Sequence, residues 1–468
     1  MKYSRKICLL LCFLLILSVL VPPAVAVSDK PATQGNKTMD AKYPLFSSSS
    51  VKVEAQAALL YEVTSDTMMY AYNADARIYP TGLTGIMTCL LALENGNLDD
   101  VITVKYDVIK ATPSDSTNAN LKAGEQITLK DLLYCICLNS SVDAALTVAH
   151  HIAGSQEAFV EMMNKKAEDL GCTGTNFTNA TGLHDKKHYS TVRDLGKITV
   201  ATLKSEQYRQ MYSVASYEVP KTNKSDVRVL KSTNYMLTGA FGGLYKDERV
   251  EGGKTGYSSA AGRCAMVTTR SGDSLYMGIL MGGETLYNSD MTLITGITSF
   301  SELAKLFEKA YSGFQRVCVV SSSRIIGLYP VENGQNYLPV QPKEDVYAVL
   351  PQKLKYEKIR LEPEVSGTIK APVQAGDRVG NLLVWYNERC VGEISLIAAS
   401  NVLPEASEPK ENIDPIENEQ TMKYAGIVIV VILCVAAIIL ILALVSYIRT
   451  AARNARRRRR RRNRVRRR

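Results

Sequence analysis

A chain of 468 residues has room for two or three domains, and its 46% hydrophobic and 22% charged content is ordinary for globular protein. The formal charge of +10 misleads: residues 449–468 hold 13 Arg and no acid, which leaves the remainder close to −3. Nothing in that mildly acidic remainder suggests a nucleic-acid surface.

Lys2, Arg5 and Lys6 precede an uncharged run over residues 7–21, and Ala24 and Ala26 follow it. This is the pattern of a secretory signal peptide over residues 1–26, with cleavage expected after Ala26. Residues 27–50 are polar and read as a linker. Residues 57–63 and 68–72, joined by a Thr-Ser-Asp turn, predict a β-hairpin. Helical periodicity follows at 86–95, 130–152, 155–170 and 191–204, with Ser140, Ser141 and Val142 inside the second of these. Asn176 and Asn179 match glycosylation sequons, a weak motif. Residues 260–269 and 274–282 predict antiparallel partners, and a helix is expected over 298–311. Together these elements indicate an α+β domain at 51–312.

Short strand runs at 317–320, 346–350, 359–363, 382–386 and 392–397 predict a small all-β domain at 316–402. Residues 403–424 read as an acidic, Pro-bearing spacer. Residues 425–448 carry no charge and are long enough to cross a bilayer. The Arg-rich tail at 449–468 then stays cytoplasmic by the positive-inside rule, with the preceding domains outside the cell. A single-pass membrane protein is expected.

Of ten Cys, seven lie outside the leader and the apolar C-terminal segment, at 89, 135, 137, 172, 264, 318 and 390. That odd, scattered set is no disulfide framework and reads as buried small apolar residues. Four His and these Cys show no metal-ligand spacing, so no metal or other cofactor is expected.

Lys254, Thr255 and Gly256 stand before a strand, flanked by Gly252 and Gly253 and by Tyr257 to Gly262. Such a strand at a cleft wall offers a cation, a hydroxyl and a close backbone approach to an extended ligand. With Tyr79-Pro80, Ile86 to Thr88, Asp143 to Ala145 and Gly182 to Asp185 in order before it, the chain resembles the serine-type D-alanyl-D-alanine carboxypeptidases among the low-molecular-mass penicillin-binding proteins. The resemblance covers about residues 55–400. It implies a penicillin-binding, β-lactamase-like transpeptidase fold followed by a β-rich domain. It also implies covalent catalysis by a Ser with a Lys three residues later, a Ser-x-Asn motif and Lys-Thr-Gly. The implied partners are peptidoglycan stem peptides or wall-synthesis proteins.

The chain departs from that pattern at its centre. The nucleophile's position is Gly82 and the base's is Gly85. The second motif keeps Ser140 but has Val142 for its Asn; Lys254, Thr255 and Gly256 remain as base partner and substrate contacts. The family's Arg after the paired strand is missing, with no Lys or Arg between Arg270 and Lys305. Removing a nucleophile from such a unit costs about 10⁶ in kcat. The expectation is a fold retained without its catalytic unit, binding wall peptides or scaffolding wall synthesis. A relocated nucleophile, Ser140 working with Lys254, is the alternative. Thr84 has no Lys beside it, Ser49 and Lys52 fall in the linker, and His184 and Asp185 are expected to bond structurally.

Overall fold

The structure is a computed structural model and describes residues 44–289, 294–365, 367–405 and 428–447. The signal peptide, residues 27–43 of the linker, most of the spacer and the Arg-rich tail lie outside the described residues.

Every residue of strand β1, Ala57–Glu62, is buried. Its apolar run lacks polar alternation because both faces of the sheet are covered. Ala57, Leu59 and Tyr61 feed one core, and Ala58 and Leu60 feed another. Strand β2, Thr67–Tyr72, completes the expected hairpin. Helix α1, Thr84–Asn95, and helices α2, Leu129–Asn139, and α3, Val142–Ala153, pack on the first core. Strands β3, Val250–Ser258, β4, Gly262–Ser271, and β5, Ser274–Gly283, finish an antiparallel sheet in the order β2-β1-β5-β4-β3. Helix α4, Thr298–Gly313, covers the second face through Phe300, Leu303, Leu306 and Phe307. Strand β3 is therefore an edge of the sheet.

The single helix expected over 130–152 is two helices. Ser140 takes a left-handed conformation, φ 56°, and ends α2; α3 starts at Val142. Apolar periodicity runs through this break because both helices bury the same side, so the pattern hides the joint. Short helices at Tyr106–Ala111 and Glu206–Tyr212 carry too few turns to register in it.

All five strand runs expected in the second domain are present. Phe314–Val320 pairs with Val346–Pro351. Gly327–Tyr329, Leu338–Pro342, Arg389–Ala398, Arg378–Tyr386 and Ile359–Val365 form a five-stranded sheet in that spatial order. The first two of these were not expected; one has three residues and the other holds two prolines. A core of Leu338, Val340, Leu350, Leu382, Val384 and Leu396 fills the domain.

Helix Val428–Tyr447 has 20 residues, a mean hydropathy of 3.7 and no burial. It is long and apolar enough to span a membrane.

Candidate functional site

Three backbone features meet at one cleft. The first is a 3₁₀ turn, Thr81–Leu83, leading into α1. Thr81 is held at φ 49°, unusual for a β-branched residue. The second is the left-handed joint at Ser140. The third is the edge strand β3, carrying Lys254, Thr255 and Gly256. The cleft encloses about 530 Å³ and is lined by all three, with Val142, Gly182, Leu183, Tyr235, Arg263 and Phe300 among its other walls. That volume suits a small ligand.

The turn and the strand are in contact. A Cβ placed on Gly82 would lie 2.6 Å from the Thr255 carbonyl oxygen, 2.9 Å from Ser140 Oγ and 3.2 Å from Gly256 Cα. A Cβ on Gly256 would fall 2.5 Å from the Gly82 nitrogen and collide with Thr81 Oγ1. Only glycine at both positions permits this approach. Gly82 therefore does not leave an open seat: β3 and Ser140 fill it.

Gly85 is filled differently. Its Cβ would meet Ile136 Cγ2 at 2.9 Å and Lys254 Cε at 3.4 Å. The Lys254 side chain thus runs into the space beside the glycine. It is 2% exposed, and its Nζ donates to Ser140 Oγ and, at 2.9 Å, to the Thr255 carbonyl. Burial pushes its pKa from 10.5 down to about 8, with Cys137 and Cys89 opposing the shift. Those two thiols lie 3.6 Å apart on α2 and α1. Ser140 Oγ passes its own proton toward the Thr255 carbonyl at 3.3 Å. Thr255 Oγ1 bonds to Thr233 Oγ1 at 2.6 Å.

Val142 packs with Val108, Leu146 and the partly buried Leu183. The cleft wall at Val142 is apolar.

Thr84 is engaged elsewhere. The backbone N–H of Thr178 donates to His188 Nδ1 at 3.0 Å, so the ring proton sits on Nε2 and points to Thr84 Oγ1 at 2.8 Å. Burial holds the His188 pKa down to about 4, which keeps the imidazole neutral. His184 lies edge-on to Tyr79 with centroids 4.6 Å apart, and Asp185 Oδ1 accepts the Lys187 N–H at 2.6 Å. Ser49 is exposed on a surface turn and bonds to Ser47. Cys89, Cys135, Cys137, Cys172 and Cys264 are buried as expected, whereas Cys318 is exposed and Cys390 half-buried on the second domain. No group of three or more metal-ligating side chains occurs among the described residues.

Sequence reasoning missed Arg263. It stands at the start of β4, directly across from Tyr257 in the β3–β4 register. Its guanidinium lies 4.2 Å over the Tyr257 ring, and its Nε donates to Thr285 Oγ1 at 2.8 Å. Counting pairs outward from the hairpin turn would have placed Arg263 beside Tyr257 at the mouth of the cleft.

Residues 44–285 match the D-alanyl-D-alanine carboxypeptidase family described as Peptidase S11. The chain belongs to that family. Residues 314–403 match the C-terminal domain of penicillin-binding protein 5. Among curated relatives, D-alanyl-D-alanine carboxypeptidase DacF of Bacillus subtilis is 27% identical over 357 residues, covering 75% of this chain and 86% of the relative. DacC of Escherichia coli is 27% identical over 369 residues, covering 75% and 84%. The crystal structure of penicillin-binding protein 5 from Haemophilus influenzae superposes with a TM-score of 0.62 at 24% identity, over 75% of this chain and 98% of that one. That likeness gives the fold: a transpeptidase-like α+β domain followed by an all-β domain.

Proposed function

We propose that this carboxypeptidase homologue has lost peptidase activity and binds peptidoglycan stem peptides without forming a covalent bond, or scaffolds wall-synthesis proteins at the cell surface. One observation carries the reading. The side chain of a nucleophile at position 82 would have to begin 2.6 Å from a backbone carbonyl, in space that β3 and Ser140 occupy. Gly82 has no side chain to acylate, and Gly85 provides no base. The curated relatives are named D-alanyl-D-alanine carboxypeptidases, which points to the stem peptide as the ligand. Within the reading, residues 1–26 direct export, the helix ending at Tyr447 anchors the chain in a single pass and the Arg-rich tail stays inside.

The contact between Lys254 and Ser140 favours a second reading. A buried amine with a pKa near 8 beside a cleft serine is the raw material of a Ser–Lys hydrolase. The bonds run against it as drawn. Lys254 donates to Ser140, and the serine proton points to Thr255, so neither group is set to remove a proton from the other.

A fluorescent penicillin added to the full chain in detergent separates the readings. The expected result is no covalent adduct. Stoichiometric labelling overturns the first reading, and labelling that Ser140→Ala abolishes, together with release of D-Ala from a pentapeptide, establishes the second.

A further inference from the structure

Two thiols meet inside the first core. Cys89 sits at the middle of α1 and Cys137 near the end of α2, and their sulfurs are in contact at 3.6 Å. Both are buried, at 1% and 2% exposure. Other cysteines turn to the backbone instead: Cys172 to the Asp194 carbonyl, Cys264 to that of Tyr79, Cys318 to that of Val320 and Cys390 to that of Gly392. Cys89 lies about one helical turn after Gly85, and Cys137 lies in the last turn before Ser140. The pair therefore joins the two helices that flank Lys254, one from Gly85 and one from Ser140.

We propose that Cys89 and Cys137 form a disulfide, a covalent staple between α1 and α2. The oxidant is itself a disulfide, on a small molecule or a protein. One cysteine thiolate attacks it, forming a mixed disulfide and expelling a thiolate; the second cysteine then attacks the first one's sulfur and expels the other half. Two protein thiols are oxidised to one disulfide, and the oxidant is reduced to two thiols that carry away the two protons. Sulfurs in a disulfide are about 2.05 Å apart, so closure takes a movement of about 1.6 Å shared between two side chains. Burial sets the timing. A thiol enclosed in an apolar core is inert, so the bond forms while the chain folds, before α1 and α2 close over the pair. The same packing then shields it from reductants. The staple ties positions 48 residues apart and so removes freedom from the unfolded chain.

The test is cell-free synthesis of the full chain in detergent, once with oxidised glutathione and once with dithiothreitol. Each product is blocked with N-ethylmaleimide, digested without reduction and read by mass spectrometry. A peptide linking Cys89 to Cys137, lacking the two thiol hydrogens, is expected in most chains made with oxidised glutathione and in none made with dithiothreitol. The linked form should melt about 5–10 °C above the reduced form. The double variant Cys89→Ala, Cys137→Ala should melt alike from both syntheses, which separates this pair from the remaining cysteines. Dithiothreitol added after folding should leave the link in place in the native chain and remove it in urea. Free thiols at both positions after synthesis with oxidised glutathione overturn the proposal. So does a difference in melting that persists in the double variant. Cooperative melting of the reduced product confirms that both syntheses yield the fold.

Discussion

Lys254 carries an ammonium into the protein interior with no carboxylate beside it among the described residues. The cost follows from its shift. A folded-state pKa near 8 against 10.5 means that the unfolded chain binds this proton more tightly. Below pH 8 both states are protonated, and the folded state bears the full penalty of roughly 3 kcal/mol. As pH rises from about 8 to 10.5 the folded state sheds its proton first, and stability from this group increases. Lys254→Met, which fills similar volume without charge, is therefore expected to raise the melting temperature at pH 7. The gain should shrink as pH rises toward 10.5 and be offset slightly by the bonds lost at Ser140 and Thr255. Buried tyrosines such as Tyr212, whose pKa is pushed up to about 12, titrate alike in both proteins, so the difference between the two melting curves isolates the lysine. A difference that does not change with pH would refute this account. The sequence showed that Lys254 survived. It did not show that the lysine runs into the space beside Gly85, because that packing depends on contacts between residues 169 positions apart in the chain.

At the scale of elements, the turn Thr81–Leu83 and strand β3 behave as one packed unit. The glycines at positions 82 and 85 are therefore not equivalent. Gly82→Ser places a Cβ against a backbone carbonyl that cannot rotate away. It is expected to destabilise the fold by about 1–3 kcal/mol and to give no penicillin adduct. Gly85→Ala meets the Cγ2 methyl of Ile136 rather than backbone and gains helix propensity, so it should stay within about 1 kcal/mol of the parent. Chemical denaturation of both variants checks the contrast, and equal effects would count against the closed turn. The elements themselves were largely legible. The β1–β2 hairpin and the β4–β5 pair announce themselves through local pattern and turn residues. The joint at Ser140 does not, since a left-handed residue between two helices with a shared buried side leaves the apolar period undisturbed. Arg263 was hidden for a related reason: its place in the cleft comes from strand register, while attention to the family's missing Arg pointed further along the chain.

On the scale of the whole molecule, a transpeptidase-like domain, an all-β domain and one strongly apolar helix follow one another along the sequence. The order was legible because each part has its own signature: mixed periodicities, then closely spaced short strands, then an uncharged run. Truncation before residue 425 is expected to move the protein from the membrane pellet to the soluble fraction after cell lysis, with the melting temperature of the remaining domains unchanged. Retention in the pellet would mean that another segment holds the chain to the membrane. The two short strands of the second domain escaped notice because strands of three and five residues, one with prolines at its second and last positions, fall below what alternation can reveal.

Closure of the turn against β3 also bears on whether a serine could be accommodated at position 82. A void left by a lost side chain can be refilled in one step, because the atoms re-enter space that stayed open. Here the first step back, a serine at position 82, meets the Thr255 carbonyl and Ser140 before any base at 85 exists to make it useful. A serine at 82 alone therefore lowers stability and brings no base with it. The geometry works as a ratchet. Under the non-catalytic reading proposed above, it would hold the chain on the far side of a one-way step.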